Sequence, residues 1–151
     1  MERDIANILH RDTIAVIVGS QMFDRGKRCF AEKRVQEVTA NAGELRGRVS
    51  PTEPGRAPYT VRIWVRDDGL AYQCTCPIGA KAQFCKHTVA IALAHLEAER
   101  VEAERGLGVL REALQTIPAP TLVDRLLVLA RRDPDIANDL KRMCLEVLSG
   151  Q

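Results

Sequence analysis

The stretch Cys74-Thr-Cys76-Pro-Ile-Gly-Ala-Lys-Ala-Gln-Phe-Cys85-Lys-His87 sets the reading of the whole chain. It holds two short pairs, Cys74-x-Cys76 and Cys85-x-His87, separated by eight residues. Three thiols and one imidazole in so small a window are the donor set of a closed tetrahedral zinc site. Pro77 and Gly79 are turn residues, placed to fold the second pair back onto the first. Two other readings stay open. The thiols are incidental buried side chains, or Cys74 and Cys76 form a thiol redox module that binds no zinc and carries a reactive, low-pKa thiol.

Upstream of this window the apolar period is two. Val35 to Ala40, Leu45 to Val49, Tyr59 to Arg66 and Leu70 to Thr75 read as short strands. They are separated by turn signals at Asn41-Ala-Gly43, Ser50-Pro-Thr-Glu-Pro-Gly55 and Asp67-Asp-Gly69. The third strand alternates cleanly: Tyr59, Val61, Ile63 and Val65 on one face, Thr60, Arg62, Trp64 and Arg66 on the other. The Asp-Asp-Gly turn predicts a hairpin, so that the fourth strand lies beside the third and delivers Cys74 and Cys76 at its end. Before the strands, residues 4–10 place Ile5, Ile8 and Leu9 at helical spacing. A second helix is expected from Thr13, capped by Asp12, with Ile14, Ile17 and Val18 buried and Gly19 or Gly26 breaking or kinking it.

Downstream the period becomes helical. Val89, Ala90, Ile91, Leu93, Ala94 and Leu96 are apolar nearly all round, so this helix should be buried. Its first turn carries Cys85 and His87, where unpaired amides and the helix dipole favour a thiolate at Cys85. A solvated Glu/Ala/Arg extension is expected to end near Gly106-Leu-Gly108, followed by helices over Val109 to Thr116, Pro120 to Arg132 and Pro134 to Leu148. The last should pack its Ile136, Leu140, Met143, Cys144, Val147, Leu148 stripe on Leu122, Leu126, Leu129 and Ala130. Cys29 and Cys144 read as core or semi-buried thiols. His95 reads as an interior or surface histidine rather than a spare ligand.

The Cys-x-Cys…Cys-x-His pattern followed by an apolar helix resembles the SWIM zinc finger. Phe23-Asp-Arg-Gly-Lys-Arg-Cys-Phe30 is similar to the Arg-Gly-rich aromatic helix that precedes the strands in prokaryotic SWIM proteins, and Cys85-Lys-His-Thr-Val-Ala90 to the family's passage from ligand to helix. The resemblance covers roughly residues 13–96 and departs at Cys29, where an aromatic residue is expected. It implies a zinc-stabilised ββα unit that binds DNA or protein partners, as found with chromatin-remodelling-type helicases, Mutator-type transposases and recombination factors.

Composition bounds the partners. At 151 residues and 46% hydrophobic, the chain can bury a core without metal for bulk stability. Residues 1–90 carry 14 Lys and Arg against 10 Asp and Glu, and residues 91–151 carry 8 against 10, so a net +4 precedes a net −2. A Cys₃His zinc site adds about −1 of its own, which leaves a modest basic case for nucleic acid. The expected contacts are Arg25, Lys27 and Arg28, the strand-borne Arg62, Trp64 and Arg66, and Lys81 and Lys86 near the knuckle. The alternatives are a solvated sheet face whose Trp64 packs under a helix, and lysines that offset thiolate charge. Five cysteines form no tidy disulfide framework, and no signal peptide or membrane span is visible, so a cytoplasmic, reducing location is expected.

The expected architecture is α+β: an N-terminal helix, an antiparallel sheet of about four strands, a ββα-type zinc knuckle with a buried helix, and a helical C-terminal extension. Residues 1–105 form the metal domain and 106–151 the extension. No Gly-rich phosphate loop, Ser/His/Asp set or paired carboxylates stand out. Four protein ligands leave no open metal position and no Glu lies in the window, so the expected role is binding rather than catalysis. The leading reading is a structural-zinc module with one Zn²⁺ in a nucleic-acid-handling complex, contacting DNA. The alternative is an adaptor that binds only protein.

Overall fold

A computed structural model describes residues 5, 8–41, 43–67 and 69–150. The chain divides between Glu102 and Ala103 into two units. In the first, helices α1 (Arg11–Val18) and α2 (Ser20–Ala31) precede strands β1 (Val35–Asn41), β2 (Glu44–Val49), β3 (Tyr59–Arg66) and β4 (Gly69–Cys74), and helix α3 (Lys86–Gln115) follows. The architecture is the expected α+β one, with helices α4 (Ala119–Arg132) and α5 (Pro134–Ser149) in the C-terminal region.

The four strands form an antiparallel sheet in the order β1-β2-β3-β4. The β1–β2 and β3–β4 connections are two residues long and the β2–β3 connection runs over residues 50–58, and sequential neighbours pair, as antiparallel strands allow. Register sorts the faces. Leu45 opposes Ile63, Gly47 opposes Val61, and Val61 opposes Cys74, which puts the apolar residues and the first thiol on one side of the sheet. Leu45, Val49, Val61 and Ile63 are fully buried there with Val89, Ile91 and Ala92 of α3. Gly47 makes this packing possible, because a Cβ at that position would overlap Ile91 Cδ1 and the Glu37 carbonyl.

Several local expectations are corrected. Helix α1 starts at Arg11 with His10 at the N-cap and no side-chain cap bond; Asp12 lies in the first turn, where its charge still suits the helix dipole. Ile14 is buried and Val18 half-buried, but Ile17 is 43% exposed, so a helix of eight residues buries only a narrow stripe. Gly19, at φ 75°, separates the two helices. Gly26 does not break α2; it is buried within it because a side chain there would meet Val89 Cβ. Of the expected helix over residues 4–10, positions 4, 6 and 7 lie outside the described residues. Ile5 and Leu9 are both buried, with the Leu9 amide donating to the Ile5 carbonyl at 2.9 Å. Ala42 and Asp68, in two of the expected turns, also lie outside the described residues.

In the C-terminal region, α3 runs without interruption through Gly106 and Gly108 to Gln115. Each exposed helical glycine costs about 1 kcal/mol, which the surrounding Ala, Leu, Glu and Arg offset. Asp133 caps α5 by accepting the Asp135 amide at 2.9 Å. The expected apolar stripe on α5 is not covered as expected: Ile136 and Leu140 are half-buried, whereas Met143, Cys144, Val147 and Leu148 are exposed.

Candidate metal centre

Strand β4 ends at Cys74, and the chain continues through Cys76 into a 3-10 turn at Gly79–Lys81 before α3 begins at Lys86. The Ala80 amide donates to the Cys76 carbonyl at 2.8 Å and the Lys81 amide to the Ile78 carbonyl at 3.1 Å, so the turn doubles back at once. Gly79 is required by space rather than by backbone angle: a Cβ there would overlap Cys74 Cβ and the Cys74 carbonyl. The reversal is completed at Ala82, whose left-handed φ of 56° costs a non-glycine residue about 1 kcal/mol.

This path brings Cys74, Cys76, Cys85 and His87 together. All four are buried, and their donor atoms lie within 4.8 Å of one another. His87 Nδ1 is 3.9 Å from both Cys74 Sγ and Cys85 Sγ. A tetrahedral site with metal–sulfur bonds of about 2.3 Å and metal–nitrogen bonds of about 2.0 Å has donor–donor edges of roughly 3.5–3.8 Å. The donors are thus spaced on the scale of one metal shell, and a Cys₃His set fits a single thiophilic divalent ion.

The inner shell has its own supports. The Gly79 amide donates to Cys76 Sγ at 3.2 Å, and the Thr88 hydroxyl lies 3.3 Å from Cys85 Sγ. The Val89 amide donates to the Cys85 carbonyl at 3.1 Å, which makes Cys85 the N-cap of α3. Tyr59 stacks on the His87 ring with centroids 4.5 Å apart. With Nδ1 turned to the sulfurs, Nε2 is buried without a hydrogen-bond partner among the described residues, so stacking orients this ring in place of the usual outer hydrogen bond. Tyr72 packs on Phe84, the residue before Cys85, with ring centroids 4.6 Å apart.

The electrostatics match a cation site. The Cys85 thiol is held down to about 3, first by the hydrogen bond from Cys74 and then, against burial, by His87 and by the hydroxyl and amide of Thr88. Cys74 is pushed far upward by that same hydrogen bond, by burial and by the neighbouring sulfurs. The opposite shifts describe one proton shared between Cys74 and Cys85, so within this pair the first thiolate forms readily and the second is resisted. A bound cation removes that resistance, which is why metal loading of thiol sites releases protons. The helix terminus does favour thiolate at Cys85, as expected, but Cys74 is the larger cause.

Other singled-out residues fall into separate places. Arg62 and Trp64 stand on the outer sheet face, with the guanidinium 4.8 Å from the indole ring. Trp64 is half-buried and packs against the Arg62 guanidinium. Arg62 and Arg46 share the Glu44 carboxylate, with Arg46 Nε at 2.6 Å, and the two hydrogen bonds hold Glu44 down to about 2. Arg66 is exposed on the same face. Lys27 pairs with Asp24 at 2.7 Å and lies over the Phe23 ring. Lys81 is exposed at the end of the 3-10 turn. Arg25, Arg28 and Lys86 line one cavity beside the metal corner. Cys29 is buried, Cys144 is exposed, and all five cysteines are free thiols. His95 is buried on α3 and belongs to no metal cluster among the described residues.

Sequence reasoning missed Tyr59 and Thr88. Thr88 was legible in principle, as the third residue after an N-cap, where capping side chains meet the helix. Tyr59 was not, because only the fold brings the start of β3 to His87. No helix among the described residues is long and apolar enough to cross a membrane. Compared with protein-family models, curated proteins and solved structures, the chain matches none of them.

Proposed function

We propose that the chain is a SWIM-type zinc-binding module that acts in a nucleic-acid-handling complex and contacts DNA through cations beside the metal corner and on the outer sheet face. The buried, closed Cys₃His set carries this reading. Three thiolates and an imidazole suit zinc, and four protein donors leave no position for substrate, so the ion serves structure rather than chemistry. When bound, it supplies a rigid cross-link between the end of β4 and the start of α3. The residues around it then hold the surface: Tyr59 fixes His87, Gly79 lets the turn close on Cys74, and Lys86 is pinned between two donors.

Fluorescence anisotropy on metal-loaded protein tests the DNA contact. Binding should weaken steeply as salt rises, because phosphate contacts release counterions. A flat titration at low salt contradicts it. A second reading, a protein-binding adaptor, is favoured by the apolar side chains left exposed in the C-terminal unit, among them Leu107, Leu145 and Leu148 at 65%, 66% and 70%. That reading predicts a metal-loaded protein that ignores DNA at every salt concentration.

A further inference from the structure

A second concave feature lies beside the metal corner. A cavity of about 260 Å³ is lined by Arg25 and Arg28 of α2 and its C-cap residue Glu32, together with Arg34, Thr52 and Lys86. A neighbouring hollow of about 170 Å³ shares Thr52 and Lys86 with it and reaches Tyr59 and His87. The cavity is therefore built partly from the element that the metal donors fix, since Lys86 sits between Cys85 and His87.

The charges in the cavity are not balanced. Arg34 is committed internally: its Nε and Nη2 donate to the Ser50 carbonyl at 3.0 and 2.7 Å, and its Nη1 lies 3.7 Å from the Glu32 carboxylate. Glu32 is the one acid in the lining, and it is answered by Arg34. No carboxylate of the described residues forms an ion pair with Arg25, Arg28 or Lys86. Arg25, Arg28 and Lys86 thus share a polar hollow whose one acid, Glu32, is held by Arg34, beside a metal corner that carries only about −1 when loaded. The outer sheet face differs, because Glu44 already occupies Arg46 and Arg62 there.

We propose that this cavity binds a phosphate group, held by Arg25, Arg28 and Lys86. On the nucleic-acid reading above, from which this inference takes its ligand, that group is a backbone phosphate of a bound strand. Arginine forks match the tetrahedral oxygens in pairs and the lysine adds a point charge. The volume lies below the roughly 300–1,000 Å³ of pockets that enclose drug-sized ligands, which suits a phosphate rather than a whole cofactor. The metal shell positions Lys86, so the pocket needs the metal corner to be intact.

The test uses metal-loaded full-length chain and two probes: inorganic phosphate, followed through amide chemical shifts, and a labelled DNA with duplex and single-stranded arms, followed by anisotropy. Arg25→Gln with Arg28→Gln removes two exposed cations. Arg46→Gln with Arg62→Gln probes the sheet face, and Arg131→Gln with Arg132→Gln controls for net charge. Native mass spectrometry checks that each variant keeps its metal. The expected result is that phosphate shifts the Arg28 and Lys86 amides. The pocket pair should lose DNA affinity by about tenfold or more, with the slope of log K against log salt falling by about 0.7–0.9 per contact removed. The control pair should stay near wild type. If the sheet pair loses DNA binding while the pocket pair retains it and phosphate moves no pocket amide, the pocket is overturned and the nucleic-acid reading stands. If phosphate binds and the pocket pair abolishes it, but no DNA binds wild type, the pocket stands and the nucleic-acid source is refuted. If neither probe binds, both are overturned.

Discussion

Cys85 serves the metal corner in three ways: as a donor, as the N-cap of α3, and as the acceptor of hydrogen bonds from Thr88. Its spacing from His87 was readable from the sequence alone, because donor pairs at x-separation need no tertiary information. Glu44 was not readable in the same way. It joins Arg46 two residues along β2 to Arg62 across the β2–β3 pairing, and only the register, with Arg46 opposite Arg62, brings both guanidinium groups to one carboxylate. A carboxyl whose folded pKa lies below its unfolded value near 4.3 contributes stability that is complete above that pH and fades as pH falls toward the folded value. Glu44, held down to about 2, should therefore still be ionised at pH 3, while an ordinary Glu such as one in the unfolded chain is mostly protonated. Carbon-detected NMR of the side-chain carboxyl across pH 1.5–6 measures this, and a midpoint above about 4 contradicts the shared ion pair. The pair is solvent-exposed, so raised salt should move the midpoint upward.

At the scale of elements, the strands were legible because an alternation of two survives where one face is buried, and β3 follows that pattern from Tyr59 to Ile63, whereas β4 is half-buried on both faces from Gly69 to Tyr72 and was legible through its turn instead. The helices were less so. Gly26 reads as a break in sequence, yet it is the contact where α2 approaches α3 at Val89. Gly106 and Gly108 read as a terminus, yet nothing lies within 4 Å of where their Cβ atoms would be, and the helix passes through them. The same residue type thus marks a close approach in one helix and a tolerated weakness in another. Gly26→Ala decides which effect wins in α2. Helix propensity alone would stabilise by about 1 kcal/mol. The clash with Val89 Cβ, a branched atom close to its backbone, should outweigh that gain and leave the protein less stable by about 1–2 kcal/mol. Urea unfolding checks the sign, and a more stable variant contradicts the packing described. Gly106→Ala should instead stabilise α3, by up to about 1 kcal/mol.

For the whole molecule, the metal corner is one edge of the apolar core. Cys74, Cys76 and Cys85 are buried in the same cluster as Ile5, Leu9, Ile14, Leu45, Val61, Ile63, Val89 and Ile91, but most of that cluster is carried by the sheet and helices, whereas the Cys74–His87 path is mostly turns and has little regular hydrogen bonding of its own. The division at Glu102 adds a second unit in which no helix of its own buries a residue fully. The apolar periodicity of α5 was legible in the sequence, but its coverage was not, because periodicity states which residues share a face and not whether anything lies on it. Chelation should accordingly raise hydrogen exchange first across residues 74–89 while the Leu45, Val61 and Ile63 amides stay protected. Simultaneous loss of protection in the sheet would show instead that the metal carries the whole fold.

The central claim is that Cys74, Cys76, Cys85 and His87 close around one zinc ion. X-ray absorption at the zinc edge on metal-loaded full-length protein tests it most directly. The account predicts one zinc per chain with three sulfur neighbours at about 2.3 Å and one nitrogen at about 2.0 Å, and no open position. A shell with fewer than three sulfurs, a bound water as the fourth ligand, or a folded chain that takes up no zinc would contradict it.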